Sequence, residues 1–140
     1  MFKTILVALD DSDLSEQVVH TLYSLHLKSD TKVILAHVIV KSADRLDVAS
    51  DRPAIETEDL SELYRDKLQS YQIGLPYQSE LEVVSGDPAE EIIRLAHIHN
   101  VNLIVMGNRG LTGLNRVLQG SVSSQVVADA PCSVLVVKLT

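Results

Sequence analysis

The stretch GNRGLTGLNRVLQGSVSS, Gly107 to Ser124, gathers four of the chain's six glycines and, in Arg109 and Arg116, the only lysine or arginine side chains between Arg94 and Lys138. That mixture suits an anion. Glycine lets backbone approach a ligand with no Cβ in the way, and the unpaired N–H groups of a helix start carry partial positive charge. Gly107 and Gly110 come directly after the apolar run LIVM, at the carboxyl end of an expected strand. Gly120 and Ser121, separated from Gly110 by nine residues, are expected to open a helix. Main-chain donors of Gly120, Ser121, Val122 and Ser123, with the two serine hydroxyls and the two arginines, would then suit phosphate. The competing reading of the same residues is plain: glycines mark turns, Ser121 is an ordinary N-cap and both arginines are solvated.

A second group lies early in the chain. Asp10 follows the apolar run ILVAL, where a carboxylate can accept hydrogen bonds from ribose hydroxyls. Ser12 or Asp13 is expected to cap the helix that follows, with Glu16 three residues after Asp13. Asp10 precedes that cap, which leaves its carboxylate for a ligand.

The elements that must position these residues follow from periodicity. Five short apolar segments, ILVAL, VILAHVIV, LEVV, LIVM and VLVV, are nearly continuous rather than alternating, as in strands buried on both faces. Between them run helical stripes: Leu14, Val18, Leu22 and Leu25, then Leu60, Leu63, Tyr64, Leu68 and Tyr71. A third helix opens on Asp87, Pro88 and Glu90 as N-cap, first helical residue and capping-box partner, and turns Ile92, Ile93, Leu95 and Ala96 inward. A fourth, short helix is expected from about Ser121, with Val122, Val126 and Val127 inward, ending before Ala130 and Pro131. The order βαβαβαβαβ predicts an α/β domain over residues 1–140, a parallel sheet with helices on both faces. Ligands of such sheets bind beyond the carboxyl ends of the strands. The charged stretch Lys41 to Thr57 is expected to be a long solvated connection.

Composition limits the partners. With 140 residues and a hydrophobic fraction of 46%, the chain can bury a real core, and at 4% aromatics that core must be aliphatic. A formal net charge of -7 opposes the broad basic surface that nucleic acid or an anionic membrane selects. Cys132 is the only cysteine, so no internal disulfide is possible and a reducing compartment is expected. The run Ile5 to Leu9 is too short for a secretory core, and Val33 to Val40 is far below membrane-spanning length, so a cytoplasmic protein is expected.

The pattern GxxG, nine residues, G[ST], read in GNRGLTGLNRVLQGSVS, resembles that of the nucleotide-binding branch of the universal stress protein family. The likeness runs end to end: ILVALDDS resembles the family's first strand and turn, AHVI its second strand, and APCSVLVV its closing strand. It implies an open five-stranded sheet of order 3-2-1-4-5, the adenine nucleotide alpha-hydrolase-like Rossmann-type fold, and a regulatory module of the stress response that binds ATP, or ADP or AMP, with Mg2+ beside a triphosphate. By the same likeness Ala8 and Asp10 would border adenine and ribose, and Val38, after His37, would meet adenine through its backbone. Met106, Gly107, Arg109, Gly110, Gly120, Ser121, Val122 and Ser123 would hold ribose and phosphates. Asn108 stands where relatives often carry a small hydroxyl residue or histidine, and Asp11 where many carry glycine, adding negative charge near the site.

Other functions leave weaker traces. No glycine is followed by Lys and then Ser or Thr, so a Walker lysine is missing, and slow ATP hydrolysis or self-phosphorylation at Ser121 or Ser123 is the enzymatic alternative. The turn LDDSDLS has no glycine, against a dinucleotide oxidoreductase. His97 and His99, two residues apart on an expected helix, point about 200° apart and do not suit a shared metal. His37, in a buried strand, reads as a hydrogen-bonded core residue. The closing strand SVLVVK is too apolar for a bare sheet edge, and a two-fold homodimer pairing these strands antiparallel is expected. No downstream protein partner is legible.

Overall fold

Ile5, Leu6 and Val7 of β1 (Thr4–Ala8) are all fully buried, because helices cover both faces of the strand they form. In the computed structural model, residues 2–10, 15–40, 57–108 and 116–138 are described, with 57–59 and 116–120 traced by their backbone alone. After β1 come α1 (Ser15–Ser24), β2 (Lys32–Val40), α2 (Thr57–Ile73), β3 (Gln78–Gly86), α3 (Pro88–Ile98), β4 (Leu103–Gly107), α4 (Arg116–Asp129) and β5 (Ser133–Val137). The expected alternation is present. The residues 11–14, which hold the expected cap of α1, and 41–56, the expected long connection, lie outside the described residues.

The five strands form one sheet of order β3-β2-β1-β4-β5, and every pairing is parallel. The sheet order implied by the family likeness is therefore the observed one. β1 lies in register with both neighbours, Ala8 opposite Ala36 of β2 on one side and opposite Met106 of β4 on the other. Two core clusters follow from the alternation of side chains along each strand. Ile5, Val7, Val33, Leu35, Leu103 and Val105 pack with Val18, Val19 and Leu22 of α1 and Leu68 of α2. Leu6, Ile34, Ala36, Ile104 and Met106 pack with Ala89, Ile92, Leu95 and Ala96 of α3 and Val126 of α4. Each fully buried aliphatic side chain contributes about 1.5–3 kcal/mol relative to exposure.

Local chemistry explains where α3 begins. The Asp87 backbone is extended, its Oδ2 accepts the Glu90 N–H at 3.0 Å, and Pro88 occupies the first turn, where its missing N–H costs nothing. The helix stops at Ile98 with His99 as C-cap, and Asn100 takes a positive φ of 51° to turn the chain toward β4.

The fourth helix corrects an expectation. It begins at Arg116 rather than near Ser121, so Gly120 and Ser121 lie within it. A single glycine inside a helix costs about 1 kcal/mol relative to alanine, which a helix can carry without ending there. The apolar stripes also narrow. Val126 is buried but Val127 is 56% exposed, and in α2 Leu68 is buried while Leu63 is 53% exposed. Among the described residues, no helix is long and apolar enough to cross a membrane.

Candidate functional site

The chain leaves β1 toward β2 on one side and returns from β3 to β4 on the other, so the carboxyl ends of β1 and β4 border the crevice where connections diverge. Ala8 and Met106 are paired at that end. Ala8, Val38, Met106 and Val122 belong to one apolar cluster, on the α3 and α4 side of the sheet. Val38 and Met106 are buried in it and Ala8 and Val122 pack against it partly buried, so this end of the sheet is apolar. Gly107 ends β4 half-buried, and the Asn108 N–H beyond it donates to the Val137 carbonyl at 2.9 Å, tying this end to β5.

Asp10 extends the other side of the crevice, and its backbone is held from several directions. The Leu9 N–H donates to Ala36 O at 2.8 Å, continuing the β1–β2 ladder one residue past the strand. The Leu9 carbonyl accepts from His37 Nδ1 at 2.9 Å; a carbonyl can only accept, so the hydrogen resides on Nδ1. His37 is buried and stacks on Tyr64 of α2, ring centroids 4.0 Å apart and 27° from parallel. The sequence reading of His37 as a hydrogen-bonded core residue thus holds. The Ser15 hydroxyl, at the first residue of α1, lies 2.8 Å from Asp10 O and 2.9 Å from Asp10 Oδ1. No sequence signal singled out Ser15, because attention to a cap fell on Ser12 and Asp13.

The residues expected at the phosphate end are placed less uniformly. Arg109 and Gly110 lie outside the described residues. Gly120, within α4, no longer belongs to the first turn, whose N–H groups lack intrahelical partners. This corrects the expectation of free amides at Gly120 to Ser123. Ser121 is exposed and Ser123 is buried, as residues two apart on a helix must face different ways.

Elsewhere, His99 Nε2 lies 2.8 Å from Glu82 Oε2, and Lys32 Nζ lies 3.1 Å from Glu80 Oε2, along the β3 side of the sheet. The His99 pair escaped sequence reading because its partners come from different elements. Burial pushes the Cys132 thiol above its ordinary value, opposed by a backbone hydrogen bond from Ile104. Among the described residues, no group of three or more His, Cys, Asp or Glu side chains is placed to hold a metal ion.

A parallel sheet of order 3-2-1-4-5 with a carboxylate and a glycine at its central strand ends does not by itself define a family. The model of the universal stress protein family, however, matches residues 1–138. The chain belongs to the universal stress protein family. Universal stress protein YxiE of Bacillus subtilis is 30% identical over 150 residues, covering 99% of this chain and 100% of its own. Universal stress protein MJ0577 of Methanocaldococcus jannaschii is 30% identical over 155 residues, covering 99% of this chain and 96% of its own. The solved structure of MJ0577 superposes with a TM-score of 0.81 at 29% identity, over 99% of this chain and 96% of that one. Two further universal stress protein structures share the fold at lower identity. One, in complex with cAMP, has 23% identity and a TM-score of 0.70, covering 99% of each chain. The other, from Arabidopsis thaliana with AMP bound, has 20% identity and a TM-score of 0.60, covering 99% of this chain and 92% of its own.

Proposed function

We propose that this universal stress protein is an adenine-nucleotide-binding regulatory module of the stress response, taking ATP at the carboxyl ends of β1 and β4, with little or no catalysis. The observation that carries this reading is the pairing of Ala8 with Met106 beside the anchored Asp10. An apolar strand end suits adenine, and a carboxylate beside it suits ribose hydroxyls. Family members with cAMP and AMP bound support the choice of ligand class.

In this reading Ala8, Val38 and Met106 border the base, Asp10 accepts from the ribose, and Gly107, Arg109 and Gly110 approach the first phosphates. Gly120, with no Cβ, lets the tail lie close against α4, where Ser121, Val122 and Ser123 follow. The first turn of α4 precedes Gly120, and the helix dipole acts on the phosphates from that end. Mg2+ accompanies the triphosphate, coordinated mainly by phosphate oxygens and water. The protein works in the cytoplasm as a homodimer whose β5 edges pair.

The test is to denature freshly purified protein and separate whatever is released by chromatography, followed by titration of the emptied protein with ATP and Mg2+. An adenine nucleotide in the release, or saturable heat in the titration, is expected. Neither signal in a folded sample would refute the assignment.

A further inference from the structure

We propose that the amino end of the sheet, opposite the nucleotide crevice, carries a docking surface for an acidic, apolar segment of a partner protein, centred on Tyr23 and Ile73. Ile73, the last residue of α2, is 86% exposed, and Tyr23 of α1 is 43% exposed. Single exposed apolar side chains are ordinary. These two stand together, because the Tyr23 hydroxyl donates at 2.9 Å to the carbonyl of Gly74, the residue that follows Ile73. That bond uses the hydroxyl hydrogen within the chain, so Tyr23 presents its ring, and aromatic rings are frequent anchors of protein interfaces. The ring of His20, one turn earlier on α1, has its centroid 5.9 Å from that of Tyr23. Leu25 after α1 and Leu75 after α2, both partly buried against the core, extend the apolar character into the connections that meet here.

Charge selects the partner. The stretches 17–29 and 67–79, which the bond from Tyr23 to Gly74 joins, contain no aspartate or glutamate, in a chain with 19 acidic side chains among 140 residues. They carry Lys28 and Lys67, both exposed, and the exposed histidines His20 and His26. The acids that bound these stretches are Glu16, Asp30, Asp66 and Glu80, and Glu80 is paired with Lys32 at 3.1 Å. The C-terminal ends of α1 and α2 add partial negative charge of about half a unit each, so the two lysines leave the surface positive on balance. A protein of net charge -7 thus keeps its acids away from one apolar surface, which favours an approaching acidic segment and disfavours a basic one. Two lysines fall short of the dense basic cluster that nucleic acid or an anionic bilayer selects. Because the crevice lies at the carboxyl ends of the strands, nucleotide and partner can be bound at once, and the docking surface stands whether or not the crevice is filled.

The experiment titrates the full chain with two synthetic amphipathic peptides of equal length, one built from leucine, alanine and glutamate, the other with lysine at every glutamate. Amide shifts are followed by NMR, affinities by fluorescence anisotropy, and every variant is checked by thermal unfolding. The glutamate peptide is expected to bind saturably with a Kd of about 1 mM or tighter, moving the amides of Tyr23, Leu25, Ile73 and Gly74. The lysine peptide is expected to bind at least about tenfold more weakly. Ile73→Asp, a change at an exposed position, is expected to weaken the glutamate peptide at least about tenfold in a protein that still folds. Lys28→Glu, made on the neighbouring connection, is expected to narrow the difference between the two peptides. Equal binding of the two peptides, shifts confined to other surfaces, affinity that survives both variants, or no saturable binding of either peptide would overturn the proposal. Sedimentation of the protein with vesicles of phosphatidylserine and phosphatidylcholine that Ile73→Asp abolishes would overturn it as well, by making this a membrane surface instead.

Discussion

The imidazole of His37 in β2 joins α2 to the end of β1: it stacks on Tyr64 of α2 at 4.0 Å and donates from Nδ1 to Leu9 O at 2.9 Å. A ring substitute separates these roles. His37→Phe keeps an aromatic face for Tyr64 but removes the donor, leaving a buried carbonyl short of a partner. Its folding free energy in urea is expected to fall by about 1–3 kcal/mol. An unchanged unfolding midpoint would mean that the hydrogen bond carries no net stability.

The cap of α3 gives a second expectation. Asp87→Ala removes the acceptor for the Glu90 N–H and is expected to lower stability by about 1 kcal/mol, with Asp87→Asn retaining most of it. Thermal or urea unfolding of the two variants side by side reads the difference. Equal losses in both would point to charge rather than the capping bond.

Those two sites also show what the sequence could and could not say. Asp87, Pro88 and Glu90 form a local signal, and the helix begins where they place it. The buried strands were equally legible, since runs such as VILAHVIV tolerate no solvent on either face. Strand order is a matter of distant pairing that no local period encodes, and it was available only through likeness to a family. The start of α4 was misplaced because Gly120 and Ser121 look like a helix opening, while four preceding residues continue the helix past the glycine. The contacts of Ser15 with Asp10 and of His99 with Glu82 join different elements, so only the fold brings them together.

Cys132 tests the environment of the core cluster on the α3 and α4 side of the sheet, against which it packs. Because burial raises its pKa, the folded chain keeps the thiol proton at a pH where the unfolded chain has released it. Its alkylation by iodoacetamide is expected to be slow at neutral pH and to accelerate only above the ordinary thiol range of about 8.5. The linkage has a definite sign: this contribution to stability is complete below the unfolded-state value and declines as pH rises through the folded-state value. Rapid labelling of folded protein at pH 7 would contradict it.

The β5 edge makes a prediction about assembly. Its residues Val134 to Val137 are only partly buried and the strand lies at the end of the sheet, where a strand of another chain could pair with it. Sedimentation velocity at micromolar concentration is expected to give a dimer. A monomer across that range would leave the apolar edge without the proposed cover.

The central claim is that an adenine nucleotide lies between the ends of β1 and β4 with its phosphates against α4 near Gly120. Calorimetric titration of Gly120→Asp beside wild type, both with ATP and Mg2+, addresses it most directly, since the substitution places a Cβ and a negative charge where the phosphates would lie. Wild type is expected to bind, and the folded variant to lose at least about a hundredfold in affinity, or about 2.7 kcal/mol. Equal affinity in the two proteins, or no binding by folded wild type, would contradict the assignment.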